Sequence, residues 1–191
     1  MAASAGGVDA LGTILSGLPA WFPVPVAVVQ HRSTHLPNML AHVLGRYTTL
    51  CVKTAEAGEA PQPGTIYLAP PDRHLSITPD GTFGLADDGT LIHHTHSAAD
   101  PLFLTAAEVH RDRVIAVVLT GGGDDGAEGA RSVGLAGGVV LAQDEATSQV
   151  FSMPRATIAT SHADAVLPLE AIGPALIRLV QTGSLGPSSS D

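Results

Sequence analysis

The chain has 191 residues, of which 45% are hydrophobic and only 14% charged, and its formal net charge at pH 7 is −9. This composition is typical of a globular protein and excludes a disordered chain. The negative charge disfavours nucleic acid as a partner, because a polyanion would be repelled. No apolar run reaches membrane-spanning length and no signal segment opens the chain, so we expect a cytoplasmic protein without membrane insertion.

Short β-branched runs alternate with helical patterns along the sequence. Strands are predicted at 26–30, 49–53, 65–68, 114–119 and 138–142, followed by a short apolar stretch at 165–167. Helices are predicted at 8–18, 36–44, 101–109, 127–135, 154–160 and 169–180. This alternation predicts an α/β fold in three layers, with a doubly wound, mostly parallel sheet covered by helices on both faces.

Two segments depart from the alternation. Residues 74–77 and 82–85 flank a Pro-Asp-Gly turn, which predicts an antiparallel hairpin inserted at the edge of the sheet. The Gly/Ser/Pro-rich residues 183–191 predict a disordered tail behind a single domain of residues 1–182.

The first candidate for chemistry is Ser4, within Ala3-Ser4-Ala5-Gly6-Gly7. Small residues let the backbone turn sharply from strand into helix and leave a serine hydroxyl exposed, and the following N–H groups can bind an oxyanion. A serine that caps the helix is the alternative for this segment alone. Because only three residues precede Ser4, we expect the first strand to be truncated.

Two further candidates follow predicted strands. His31 ends the strand at 26–30, where a general base can face the same sheet edge as the serine; a surface histidine is the alternative. The strand at 114–119 enters a glycine-rich loop that carries Asp124 and Asp125. A carboxylate there can orient the base and stabilise its cation. A phosphate-binding loop is disfavoured, because no Gly-Lys-Ser/Thr follows and two aspartates would repel phosphate; a plain connecting loop is the remaining alternative.

Little in the sequence favours a metal or a cofactor, and we expect neither. The single cysteine, Cys51, excludes an intramolecular disulfide, and its apolar neighbours predict a buried hydrophobe rather than a reactive thiol. His93, His94 and His96 suggest a metal site, but they lie in a polar segment without strand or helix pattern, which favours a solvated loop.

Several motifs occur together in a fixed order. They are Ser4-Ala5-Gly6-Gly7, Val29-Gln30-His31, Ala69-Pro70-Pro71-Asp72-Arg73-His74, Thr120-Gly121-Gly122-Gly123-Asp124-Asp125-Gly126, Ala142-Gln143-Asp144-Glu145-Ala146-Thr147-Ser148 and Phe151-Ser152-Met153-Pro154-Arg155-Ala156. In order and spacing they resemble the CheB-type chemotaxis protein-glutamate methylesterase domain, and the resemblance runs from residue 2 to about residue 179.

The resemblance implies a serine hydrolase that removes methyl esters from glutamyl side chains of chemoreceptors in bacterial chemotaxis signalling, with glutamine deamidation in some members. Matched by position, Ser4 would be the nucleophile, His31 the base and Asp125 the orienting acid. The backbone N–H groups of Ala5 and Gly122 would form the oxyanion hole, although family members often carry threonine and methionine at these positions.

The resemblance also places His74 near the pocket, because His74 belongs to a matching motif. The sequence pattern itself predicts His35 and His42 on helix surfaces. The implied partners are the cytoplasmic helices of methylated chemoreceptors and other chemotaxis signalling proteins. The alternatives are a catalytically impaired signalling or binding module of the same fold, and a stand-alone esterase with another substrate.

Overall fold

The computed structural model describes residues 1–31, 39–87 and 97–186. The strands are β1 (Ala2–Ala3), β2 (Val26–Gln30), β3 (Cys51–Thr54), β4 (Thr65–Leu68), β5 (Arg73–Ile77), β6 (Phe83–Asp87), β7 (Ile115–Val118), β8 (Val139–Gln143) and β9 (Ala165–Leu167). The helices are α1 (Gly7–Gly17), α2 (Leu40–Leu44), α3 (Asp100–His110), α4 (Ala127–Leu135), α5 (Ser152–Ala159) and α6 (Leu169–Thr182).

Seven of these strands form one sheet in the order β3-β4-β2-β1-β7-β8-β9, and its strand pairs are parallel. The order reverses at β1, which pairs with β2 on one side and with β7 on the other. In such a sheet the loops after these central strands open into one crevice at the carboxyl edge. Ser4, His31 and Asp125 all lie in those loops.

Helices cover both faces of the sheet, which confirms the predicted three layers. One apolar cluster joins a sheet face to α1, α2 and α6, through residues such as Leu11, Leu44 and Leu176. The other joins the opposite face to α3, α4 and α5, through residues such as Phe103 and Met153. Burial of this apolar surface is the main favourable contribution to folding.

The predicted hairpin is present as β5 and β6, which pair antiparallel from Ile77 opposite Phe83. The prediction that it lies at the sheet edge is wrong, because the two strands form a separate sheet. Leu75, Ile77 and Phe83 are buried in the second apolar cluster, and the Phe83 ring lies 4.7 Å from the ring of Tyr67 in β4. The hairpin therefore packs on a face of the main sheet.

The strand before Ser4 is present and spans two residues. Ala2 is paired with Val29 and with Val118, and both Ala2 and Ala3 have no exposed surface. The amino group of Met1 donates a hydrogen bond to the Ala27 carbonyl at 2.7 Å. This two-residue strand leads directly into the turn that carries Ser4.

Other predictions have mixed outcomes. Cys51 is exposed, so its predicted burial is wrong; it begins β3, the edge strand of the sheet, which has a neighbouring strand on one side only and no fully buried side chain. His42 is exposed on α2, as predicted, whereas His35 and residues 187–191 lie outside the described residues. Within the described ranges, every helix is too short or too polar to cross a membrane.

Candidate functional site

Hydrogen bonds fix the three loops to one another at the carboxyl edge of the sheet. Ser4 N–H donates to the Thr120 carbonyl at 3.0 Å, which joins the loops after β1 and β7. His31 N–H donates to the Ala3 carbonyl at 3.0 Å, which joins the loop after β2 to the end of β1. The backbone therefore holds the predicted nucleophile and base side by side in the crevice.

Ser4 occupies a sharp turn between β1 and α1. Gly6, the residue before the helix, has a φ angle of 76°, a left-handed conformation that favours glycine. Gly7 N–H donates to the Ser4 carbonyl at 2.8 Å and closes the turn. Ser4 is half-buried, and within the described part of the chain its hydroxyl makes no hydrogen bond. The hydroxyl is thus free for a partner in the crevice.

His31 is paired with Asp125. Nε2 of the ring lies 2.6 Å from Oδ2 of the carboxylate, and the side chains are 16% and 2% exposed, respectively. Since Nε2 is engaged by Asp125, Nδ1 is the ring nitrogen available to a third group. Asp124 is exposed, so of the two neighbouring aspartates it is Asp125 that the fold brings onto His31.

The start of α3 also binds Asp125. Oδ2 accepts a hydrogen bond from Ala99 N–H at 2.7 Å, and Oδ1 accepts one from Asp100 N–H at 3.1 Å. Burial alone would raise the pKa of the Asp125 carboxyl. The hydrogen bonds from His31, Ala99 and Asp100, together with the charge of protonated His31, outweigh burial and lower the pKa below its ordinary value of 3.8. Asp125 is thereby kept ionised as a partner for an imidazolium.

This lowered pKa predicts a contribution to acid stability. Since the folded carboxyl binds its proton more weakly than the unfolded one, the contribution is complete above the ordinary pKa and is lost as the pH falls through the folded pKa. We expect the free energy of unfolding of Asp125→Asn to depend less on pH than that of the wild type. Urea unfolding from about pH 3 to about pH 5 measures the two slopes, and equal slopes would contradict the assignment.

The predicted oxyanion donors lie in two loops, Ala5 in the turn after Ser4 and Gly122 in the loop after β7. In the described ranges, the N–H groups of Ala5 and Gly122 make no hydrogen bond within the protein. Ala5 and Gly122 are exposed, and a side chain added at Gly122 would have no atom within 4 Å. Exposed N–H groups without a hydrogen-bond partner in the loops that carry Ser4 and Asp125 are candidates to bind a developing negative charge.

Several residues that support this site had no role assigned from the sequence. Thr120 Oγ1 donates to the Ala5 carbonyl at 2.9 Å and accepts from Val150 N–H at 2.9 Å. Gln143 Oε1 accepts from Thr120 N–H at 2.9 Å. Thr120 and Gln143 belong to the motifs, but their contacts join positions far apart in the sequence. These contacts become visible only once the order of the strands in the sheet is known.

His74 is bound to the residue next to one that binds Asp125. It is buried in β5, and Nδ1 accepts a hydrogen bond from Ala98 N–H at 3.1 Å, next to the Ala99 N–H that binds Asp125. Its predicted proximity to the site is therefore observed, through the segment that begins α3.

The described ranges contain no group of three or more His, Cys, Asp or Glu side chains arranged to hold a metal ion. His93, His94 and His96 lie outside the described residues.

Comparison with known proteins identifies a family with this sequence pattern. The family model described as CheB methylesterase matches residues 1–176. A protein-glutamate methylesterase/protein-glutamine glutaminase of Maricaulis maris is 39% identical over 95% of this chain and 46% of its own length. A putative protein of the same name from Leptospira interrogans is 38% identical over 93% of this chain and 92% of its own length. The chain thus spans about half the length of some of these relatives, as the 46% for Maricaulis shows.

The fold is similar to that of a solved structure from the same family. The crystal structure of the Thermotoga maritima CheB methylesterase catalytic domain superposes with a TM-score of 0.88 and 41% sequence identity, over 93% of this chain and 95% of that one. This likeness includes the parallel sheet that carries Ser4, His31 and Asp125 at its carboxyl edge.

Proposed function

Because this chain belongs to the CheB methylesterase family, we propose that it is a serine hydrolase that removes methyl esters from glutamyl side chains of chemoreceptors. Glutamine deamidation is its second proposed activity, by the same chemistry with ammonia leaving in place of methanol. The observation that carries the proposal is the pairing of His31 with Asp125 at 2.6 Å, beside the turn that presents Ser4. A histidine oriented by a buried carboxylate is the base that an unactivated serine needs.

The proposed reaction proceeds through an acyl-enzyme. Ser4 Oγ attacks the ester carbonyl carbon while Nδ1 of His31 accepts the hydroxyl proton and Asp125 stabilises the imidazolium. The N–H groups of Ala5 and Gly122 bind the oxyanion of the tetrahedral intermediate. The carbon–oxygen bond to the methoxy group breaks, and His31 gives its proton to the departing oxygen, so that methanol leaves. Water then loses a proton to His31 and attacks the acyl carbon; the bond to Ser4 Oγ breaks and His31 returns the proton to that oxygen. Ser4 is restored, and the glutamate side chain leaves as a carboxylic acid that ionises in water.

The substrate class sets the proposed partner and location. A glutamyl ester on a receptor is presented by the receptor's cytoplasmic helices, so the enzyme is proposed to be cytoplasmic and to bind those helices. The net charge of −9 argues that docking is not driven by overall attraction to an acidic surface. Recognition is instead assigned to the crevice at the carboxyl edge of the sheet.

Ser4→Ala tests the proposed nucleophile. We expect the variant to fold but to lose methanol release from methylated receptor by about three orders of magnitude or more, since both covalent steps need the hydroxyl. A fluorophosphonate should label the wild type and not the variant. Ser16→Ala is the matched control, because Ser16 is an exposed serine on α1, and it should label and turn over as the wild type does.

The outcomes also separate the alternatives. A wild-type chain that folds but neither labels nor turns over would support an impaired binding module of the same fold. Labelling and hydrolysis of small esters without methanol release from receptor would support a stand-alone esterase. Unchanged methanol release by Ser4→Ala would sink the proposed mechanism.

A further inference from the structure

One buried side chain joins the candidate nucleophile and base. Gln30, the last residue of β2, is buried, and its Nε2 donates to the Ser4 carbonyl at 2.8 Å and to the His31 carbonyl at 2.9 Å. No other described side chain contacts the carbonyls of both residues. Gln30 therefore fixes the backbone of Ser4 relative to that of His31.

The geometry of the peptide bond extends this effect to the oxyanion hole. The Ser4 carbonyl and the Ala5 N–H belong to one planar trans peptide and point in opposite directions. A donor that fixes the direction of the carbonyl therefore fixes the direction of the N–H, and it also polarises the N–H into a stronger donor. We propose that Gln30 is a positioning residue that aims the Ala5 N–H at the oxyanion through the Ser4–Ala5 peptide. This inference rests on the proposed function.

The second oxyanion donor is held in the same way. Gly122 N–H shares a peptide plane with the Gly121 carbonyl, which accepts a hydrogen bond from Met153 N–H at 3.0 Å at the start of α5. Both candidate donors thus have the carbonyl of their own peptide engaged from behind. The Gly121 carbonyl accepts from a backbone N–H group. The Ser4 carbonyl accepts from the backbone N–H of Gly7 and also from the side chain of Gln30, which can be replaced.

The turn is built around the Gln30 amide. A side chain at Gly7 would overlap Oε1 of Gln30 and come within 2.7 Å of the Ala3 side chain, so the second glycine of the turn leaves room for this amide. Oε1 itself has no hydrogen-bond partner among the described residues. A buried unpaired acceptor costs stability. The favourable contribution of glutamine at this position therefore comes from the two hydrogen bonds that Nε2 donates.

Gln30→Met tests the proposal, because methionine has a similar length and no donor. We expect kcat for methanol release to fall by about tenfold to a hundredfold, less than the 10²–10³ of losing an oxyanion donor, since Gly7 N–H still holds the Ser4 carbonyl. KM should change by less than about threefold, because the defect lies in the transition state. The ¹⁵N resonance of the Ala5 amide should move, and fluorophosphonate labelling should slow in proportion to kcat.

Three further variants separate positioning from packing. Gln30→Asn keeps an amide too short to reach both carbonyls and should lose kcat as Gln30→Met does, which covers the case in which methionine disturbs folding. Gln181→Met, an exposed position on α6, and Val28→Ala, a buried position on β2, should keep the wild-type kcat, and Val28→Ala should lower Tm. Wild-type kcat and an unmoved Ala5 resonance in both Gln30 variants would overturn the proposal. Absence of labelling in the wild type would instead contradict the proposed function, and the Ala5 resonance would then decide alone whether Gln30 orients that peptide.

Discussion

Asp125→Asn is expected to lower kcat for methyl ester hydrolysis by about four orders of magnitude, because the proposed base His31 is oriented by this carboxylate. The carboxylate accepts three hydrogen bonds, from His31 Nε2, Ala99 N–H and Asp100 N–H, through two oxygens. Asparagine has one oxygen and one NH₂ group. With the NH₂ group in place of Oδ2, both His31 Nε2 and Ala99 N–H lose their acceptor; with it in place of Oδ1, Asp100 N–H loses its acceptor. The imidazolium also loses its counter-charge.

The same substitution should destabilise the fold by about 1–3 kcal/mol, because a buried N–H is left without an acceptor. Methanol release and urea unfolding measure the two effects separately. Asp124→Asn is the matched control, since Asp124 is the exposed neighbour, and its kcat should stay within about threefold of wild type. An Asp125→Asn variant within tenfold of wild-type kcat would show that His31 does not depend on this carboxylate.

The sequence predicted helices and strands well because the hydrophobic spacing that specifies each of them lies within its own segment. The β-branched run at 65–68 and the helical spacing at 127–135 appear in the structure with the same limits, as Thr65–Leu68 and Ala127–Leu135. Cys51 shows the limit of such signals. Its neighbours are apolar, but its exposure depends on β3 being the edge strand of the sheet, which is a property of the strand order and not of the segment.

The site was predicted as a set of residue types at strand ends, whereas its geometry was not. Asp125 is bound by one ring nitrogen of His31 and by two N–H groups at the start of α3. These contacts join residues that are 25 or more positions apart in the sequence. Gln30 was visible only as part of a motif. Its role depends on the register of β1 against β2, which pairs Ala3 with Gln30, and the register of parallel strands is not encoded in either strand alone.

The buried amino group of Met1 predicts the second large effect, a rise in stability between pH 5 and pH 8. Burial lowers the pKa of the Met1 ammonium from 8.0 to about 5. In this range the unfolded chain binds the proton and the folded chain does not, so the free energy of unfolding rises with pH. At about 1.4 kcal/mol for each unit of pKa shift, the full rise is about 4 kcal/mol.

A designed extension before Met1 should remove this dependence. Strand β2 begins at Val26 and β7 at Ile115, each three residues before its pairing with Ala2, whereas β1 between them begins at Ala2 itself. A cavity of about 460 Å³ lies at this amino edge of the sheet. Two or three added Val and Ile residues would continue β1 into this space and carry the amino group outward. Each such side chain, once buried, contributes about 1.5–3 kcal/mol.

Three chains test this prediction: the unextended chain, the chain extended with Val and Ile, and the chain extended by an equal number of Ser and Asn residues. Their unfolding in urea is measured at several pH values between 5 and 8, and intact mass confirms the amino terminus of each. We expect the polar extension to abolish the slope without a large gain at pH 8, because it moves the charge but buries little apolar surface. The apolar extension should abolish the slope and raise stability at every pH. Parallel curves for all three chains would contradict the buried ammonium. Because β1 ends before Ser4, kcat should be the same in all three wherever each is folded, so the strand that supports the proposed nucleophile can be strengthened without altering the turn that carries it.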